Sequence, residues 1–371
     1  MDVSAVASLT HQVLWMVAML AVLFGVIAHR THFCTMGAIG DIVNMGDWTR
    51  MRQWGLAAGV AMIGVGLLSY TGQIDLSKTL YANNRWLWMS AAVGGVMFGF
   101  GMVLASGCGS KTLVRIGSGN LKSVVVFLVI GITAFATLKG ITAVVRVSTV
   151  DQWAIEFAGP ASLPAVASTV LGTPVGITGL IVALLIGGAL SLWALATPDF
   201  RRIENVVAGG GIGGVIIAVW WVSGHWGFIA EHPETLQEAF IATNSGRAEA
   251  LSFVAPIAYS LDWLMFFSDK SKVLTTGIVA VVGVVAGSAV SALSQGSFRW
   301  EGFGRTEDVA NHLIGGALMG VGGVTAMGCT IGQGLSGLST LSLTSFVAVT
   351  AIISGAVAAL HYQIWRMEQI E

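Results

Sequence analysis

Ten apolar runs separated by short polar stretches constrain this chain more than any other feature, lying at roughly 13–28, 54–70, 88–105, 124–145, 175–196, 206–229, 251–267, 273–293, 314–326 and 341–360. A helix that crosses a bilayer takes about 20 mostly apolar residues, and its backbone polar groups must be paired within the segment. A chain of 371 residues has room for about nine or ten such transmembrane helices. Charged residues make up only 10% of it, against about 25% in an ordinary soluble domain. The 49 Gly residues suit close helix approach and the 13 Trp residues suit interface anchoring. The mean hydropathy is +0.80. The expected fold is an all-α polytopic membrane protein, a single integral domain over 1–371, with short re-entrant helices among its spans.

Eighteen Lys and Arg stand against nineteen Asp and Glu, a net charge of −1. No overall field recruits nucleic acid, so any charge that matters acts locally. Basic residues collect in 30–52, 111–122, 201–202 and 270–272, whereas 151–156 and 231–249 are mainly acidic. The positive-inside rule puts the first group in the cytoplasm and the N-terminus outside. Residues 1–11 show neither a basic stretch nor a small-residue cleavage site, so the run 13–28 reads as a retained helix. Three cysteines cannot all pair, and no C-x-x-C spacing points to a metal, so at least one thiol is free and no metal or cofactor is expected.

The stretch Gly94-Gly-Val-Met-Phe-Gly-Phe-Gly-Met-Val-Leu-Ala-Ser-Gly-Cys108 recurs as Gly315-Gly-Ala-Leu-Met-Gly-Val-Gly-Gly-Val-Thr-Ala-Met-Gly-Cys329. Eight of the fifteen positions match, five of them Gly, at an offset of 221 residues. At that offset Asp41 falls on Asp262 and Cys34 on Ala255. The chain therefore divides into a first repeat at 12–148, a connector with transmembrane helices at 149–232 and a second repeat at 233–369. Charge counting suggests an even number of spans between the repeats, hence a parallel relation, which one re-entrant pair would reverse. Gly95 with Gly99, and Gly316 with Gly320, have the spacing of close helix packing.

After each repeated run the sequence turns polar and Gly-rich. Such loops are tolerated at membrane depth only where protein covers them or where they line water. A short helix beginning just after each Cys would aim free N–H groups and its positive end at whatever lies beside the sulfur. Gly107, Gly109, Ser110, Lys111 and Arg115 in the first half, and Gly328, Thr330, Gly332, Gln333 and Gly334 in the second, are the candidates for an anion-binding cavity wall. Cys34, Cys108 and Cys329 are the candidate stepping sites, since a neutral S–H donates weakly to a soft, sulfur-bearing ligand. Arg30 and His32 flank Cys34, and Arg305, Glu307, Asp308 and His312 form a charged approach to the second run. His225, set between Trp221 and Trp226, reads as an interface anchor. The chain lacks H-E-x-x-H, a Walker loop and G-x-S-x-G, so no catalytic arrangement is expected.

At these residues the chain resembles the YeeE/YedE family of membrane proteins, the sulfur-transport family that includes bacterial thiosulfate transporters. The specific part is the run ending in Gly107-Cys108, its copy extending from Met319 through Gly328-Cys329 to Gly337, and the segment Phe33-Cys34 with Gly37 and Asp41. The resemblance implies an hourglass of helices in a bacterial inner membrane, with thiosulfate passing a narrow middle along Cys34, Cys108 and Cys329. It also implies a separate TusA-type sulfur carrier as a cytoplasmic partner. Two departures are Ser106 where the family often has Gly, and Lys111 where small or neutral residues are usual. The expected function is thiosulfate uptake without enzymatic activity. The alternatives are transport of another reduced sulfur or selenium species, and a membrane sulfurtransferase working through a cysteine persulfide.

Overall fold

A computed structural model describes residues 3–369. The first half contains α1 (Val3–Arg30), α2 (Thr35–Met45), α3 (Thr49–Tyr70), α4 (Trp88–Leu104), α5 (Gly109–Gly117), α6 (Leu121–Lys139) and α7 (Ile141–Ser148). Next come α8 (Leu163–Leu171), α9 (Val175–Leu195), and α10 (Ile203–Val206) continuing through a π segment at Val207–Gly211 as α11 (Ile212–Trp221), with a second π segment at Val222–Trp226 after it. The second half holds α12 (Val254–Met265), α13 (Thr276–Ser294), α14 (Thr306–Thr325) and α15 (Leu343–Glu368). Among the described residues, eight helical segments are long and apolar enough to span a bilayer. The twenty-residue α14 has the length of a span but opens on Glu307 and Asp308. Large apolar side chains such as Ile132, Leu185 and Val282 stand exposed on α6, α9 and α13, as hydrocarbon requires and water would penalise.

The repeated glycines set the centre of the molecule. A Cβ at Gly101 would lie 2.7 Å from the Gly315 carbonyl oxygen, and one at Gly315 2.6 Å from that of Gly101. Gly94 faces Ala326 while Gly101 faces Gly315, so α4 and α14 cross in backbone contact and run antiparallel. Because these two helices carry the matching sequence, the axis relating them lies in the membrane plane. The parallel relation expected from charge counting is overturned. The remaining contacts exchange in the same way: α15 packs beside α4 through Gly95 and Gly99, and α6 beside α14 through Gly316 and Gly320.

The miscount has a physical cause. Helices α2 and α12, of 11 and 12 residues, are roughly 17 Å long at 1.5 Å per residue, about half a bilayer. The run at 251–267 is therefore no span. Its helix starts in the core at Phe253, which is fully buried, and returns to the face it came from. There Lys272 pairs with Asp262 at 2.6 Å and the Thr276 N–H donates to the Ala242 carbonyl. The segment 270–272 thus joins the acidic loops, contrary to its expected place with the other basic segments.

Two faces result. The acidic face gathers 71–87, 149–162 and 227–253, joined by the antiparallel pairs Arg85–Trp86 with Ile155–Glu156 and Phe228–Ile229 with Ala239–Phe240, and by the ion pair of Lys78 with Glu238. The opposite, basic face carries the ion pairs of Arg50 with Asp41 and of Lys122 with Glu301 and Asp308.

Candidate functional site

Each cysteine follows a left-handed residue by two positions: His32 at φ 52°, Ser106 at 56° and Met327 at 60°. None of the three is Gly, so each kink costs about 1 kcal/mol or more and persists only because its surroundings impose it. At Ser106 and Met327 the helix ends close identically. The Gly107 N–H donates to the Met102 carbonyl at 2.8 Å, and the Gly328 N–H to the Gly323 carbonyl at 2.8 Å, the wide loop of a Schellman end. Sequence reasoning looked for glycine at such breaks and missed the kinks. Their signal lay in the common spacing, a polar or flexible residue two positions before each Cys.

The chain then restarts as helix with the thiol at the N-cap. Cys34 caps α2 and its Sγ accepts from the Gly37 N–H at 3.4 Å. Cys329 precedes the helix at 330–339 and its Sγ accepts from the Gly332 N–H at 3.4 Å. Cys108 caps α5, its Sγ 3.3 Å from the Ser110 hydroxyl. Helix N-termini concentrate unpaired N–H groups and partial positive charge, so each sulfur sits where an anion is favoured. All three thiols are free and buried. Cys108 lies within electrostatic reach of both Cys34 and Cys329, which makes it the middle of the three.

Charge is concentrated at the Cys34 end. Lys111 and Arg115 of α5 act on Cys34, and Lys111 also reaches His29 and His32. The stem of Lys111 lies over Gly107, and the Arg50 guanidinium over Gly37. Arg30 and His32 are exposed at the end of α1, and Arg305 is exposed at the cap of α14. Neither of the two main cavities beside the thiols is lined by any of these three.

Those cavities approach the thiols from opposite faces. On the basic face a cavity of about 300 Å³ is lined by Ser106, Arg115, Ser118, Lys122, Arg299 and His312 together with the acids Asp308 and Glu301. On the acidic face a cavity of about 220 Å³ is lined by Arg146, Glu249, Ser252, Tyr259, Met327 and Gly328. Ser106 and Met327, which match across the repeat, each form part of one wall. Ala255, the counterpart of Cys34, also lines the second cavity.

Several candidate residues serve packing. Gly332 faces Ser252, and a Cβ at Gly334 would lie 2.5 Å from the Trp54 ring. Gln333 is fully buried, donating to the Ala326 carbonyl at 2.7 Å and accepting from the Ser345 hydroxyl at 2.6 Å. These three hold the turn after Cys329 shut and stay off the cavity walls. Thr330, beside the sulfur, is buried with no partner for its hydroxyl. Gly109 and Ser110 are buried in the first turn of α5. Among the described residues no cluster of His, Cys, Asp and Glu could hold a metal.

A family model described as sulphur transport matches residues 30–358. The thiosulfate transporter TsuA of Spirochaeta thermophila is 29% identical over 356 residues, covering 92% of this chain and 96% of its own. TsuA of Escherichia coli is 26% identical over 347 residues, covering 90% of each. The probable transporter YedE of Escherichia coli is 31% identical over 98 residues, 26% of this chain and 23% of its own. With the family match running through all three cysteine breaks, the chain belongs to the sulphur-transport family of multi-pass membrane proteins.

Proposed function

We propose that the protein carries thiosulfate from the acidic-face cavity to the basic-face cavity, past Cys329, Cys108 and Cys34 in that order. The observation that supports this most is the shared geometry of three buried thiols, each at a helix N-terminus behind a left-handed kink, between two cavities. The relatives named as thiosulfate transporters supply the substrate. Each step offers the anion an S–H and backbone N–H groups. A thiol beside a bound dianion is held protonated by like-charge repulsion, so it donates. Several weak sites in line let the ion leave each one, where a single deep well would trap it.

The basic face is cytoplasmic in this reading, by the positive-inside rule, and the membrane is the bacterial inner membrane. Inward movement then opposes the membrane potential by about 2.3 kcal/mol per charge per 100 mV. Lys111, Arg115 and Arg50 offset part of that near Cys34. A separate TusA-type sulfur carrier is the cytoplasmic partner at the basic face, acting only after the intact anion has crossed. No covalent step is involved, so the thiols return unchanged.

The test is uptake of radiolabelled thiosulfate into proteoliposomes. Cys108→Ala and Cys329→Ala each abolish it while the purified protein keeps its elution profile. Unchanged uptake by both variants removes the thiol path. A stable gain of one sulfur on a cysteine, seen by mass spectrometry after exposure to thiosulfate, favours the sulfurtransferase instead. Competition by selenium analogues or other reduced sulfur anions resolves the substrate.

A further inference from the structure

One partly buried acid takes no part in this thiol path. Glu249 sits on the loop before α12 and lines the acidic-face cavity together with Arg146, Ser252, Tyr259 and Gly328. It also lines a small cleft against Val219, Thr276 and Ala280. Its place is fixed at both ends: its own N–H donates to the Ser223 hydroxyl at 2.9 Å, and its Oε1 accepts from the Ser245 N–H at 2.7 Å. Among the described residues, the ion pairs of this face join other groups: Arg146 to Asp151 at 3.2 Å, Lys78 to Glu238 and Lys272 to Asp262. The Arg146 Nε–H points poorly at its carboxylate and has no hydrogen-bond acceptor.

The groups around Glu249 come from several elements. Arg146 belongs to α7, Tyr259 to α12 and Tyr81 to the loop after α3. Its own loop contributes Arg247, whose guanidinium is turned away onto the Thr79 and Ala82 carbonyls. α13 and the turn at Ser223 present only uncharged residues. The cation lining this cavity, Arg146, is already paired with Asp151, so the Glu249 carboxylate stands without an ion-pair partner of its own in a space of about 220 Å³, room for a small oxyanion and a few waters at about 30 Å³ per water.

We propose that this cavity is the outer binding site for the anion and that binding takes up one proton on Glu249. The site opposes a fixed charge to its ligand unless the acid is neutral. Protonated, the same carboxyl becomes a donor to the oxyanion, alongside the free Arg146 Nε–H and the Tyr259 and Ser252 hydroxyls. Burial raises the pKa of Glu249 above the usual carboxylate value, against the hydrogen bonds from Ser245 and Asn244 that lower it, and that direction favours the protonated form. The bond made is O–H on the carboxyl, with the proton drawn from outside water; nothing is oxidised or reduced.

This inference rests on the transport reading, and its test separates the two. Thiosulfate binding is measured by calorimetry on the full-length protein in buffers of different ionisation enthalpy, with uptake followed in proteoliposomes from external pH 5 to 8. Wild type takes up one proton per anion, and its apparent KM rises tenfold per pH unit above the pKa of the free site. Glu249→Gln binds without proton uptake and gives a flat KM profile, whereas Glu249→Asp keeps the slope. Wild-type binding without proton uptake overturns the proposal, as does a Glu249→Gln profile that keeps the wild-type slope. Absence of any thiosulfate binding or uptake by wild type refutes the transport reading and, with it, the ligand assigned to this site.

Discussion

After Cys108 the chain forms α5, nine residues that bring Lys111 and Arg115 within electrostatic reach of Cys34 and put Arg115 in the wall of the basic-face cavity. After Cys329 it forms a fully buried helix whose middle, Gly332–Gly337, widens to a π turn. The sequences entering these two breaks are copies, and so are the kinks. The two helices beyond them diverge because the residues four positions past each Cys do different work. Thr112 bonds back to the Cys108 carbonyl of its own helix at 3.0 Å. Its counterpart Gln333 ties the Ala326 carbonyl to Ser345 of α15. One break is left free to carry charge, and the other is locked to its neighbours. The first half supplies the charge beside the thiols and the second half the locked helix.

The largest test of that contrast is a matched pair of substitutions. Gln333→Ala leaves a buried carbonyl and a buried hydroxyl without their partner and costs about 3 kcal/mol of stability. Thr112→Val loses one local bond and costs under about 1 kcal/mol. Denaturant titration of the two variants in detergent reads the difference, and equal losses would show the two breaks to be equally locked. Next in size, Lys111→Gln lowers thiosulfate uptake about tenfold, the 1.4 kcal/mol scale of one charge-assisted contact. Lys111→Arg restores uptake, and Arg305→Gln, at the exposed cap of α14, leaves it unchanged. A Lys111→Gln variant with full uptake would mean that the first break carries no useful charge.

Much of this was legible from spacing alone. The copied Gly-Cys runs gave the two central helices, because backbone contact between helices tolerates only small residues, and Gly94, Gly101, Gly315 and Gly322 all meet backbone there. Apolar length marked the spans well, down to α9 and α15. The half-helices α2 and α12 were not legible: α2 lay inside the basic segment 30–52 and read as a polar break, and the apolar run 251–267 looks the same whether it crosses or turns back. That ambiguity hid the inverted relation and misplaced 270–272. The polar, Gly-rich look of 332–334 suggested a cavity wall; those glycines instead admit Trp54 and Ser252. Glu249 carries no local signal, because its surroundings come from α7, α11, α12 and α13 together.

The smallest expected effect asks whether the two halves also differ in how open they are. Ala255 and Cys34 occupy matching positions, but Ala255 lines the acidic-face cavity, whereas Cys34 is only 8% exposed, within electrostatic reach of Lys111 and Arg115 and near Arg50 at Gly37. In Ala255→Cys, the new thiol should react with a small maleimide several times faster than Cys34, as read by peptide mass spectrometry over a time course. The native thiols at Cys108 and Cys329, 1% and 0% exposed, should lag behind both. Thiosulfate, seated beside Arg146 and Glu249, should slow the reaction at position 255 and leave Cys34 unaffected. Were Cys34 labelled as fast as the introduced thiol, the basic cluster would not be closing the first half, and the two vestibules would be equivalent in openness as well as in descent.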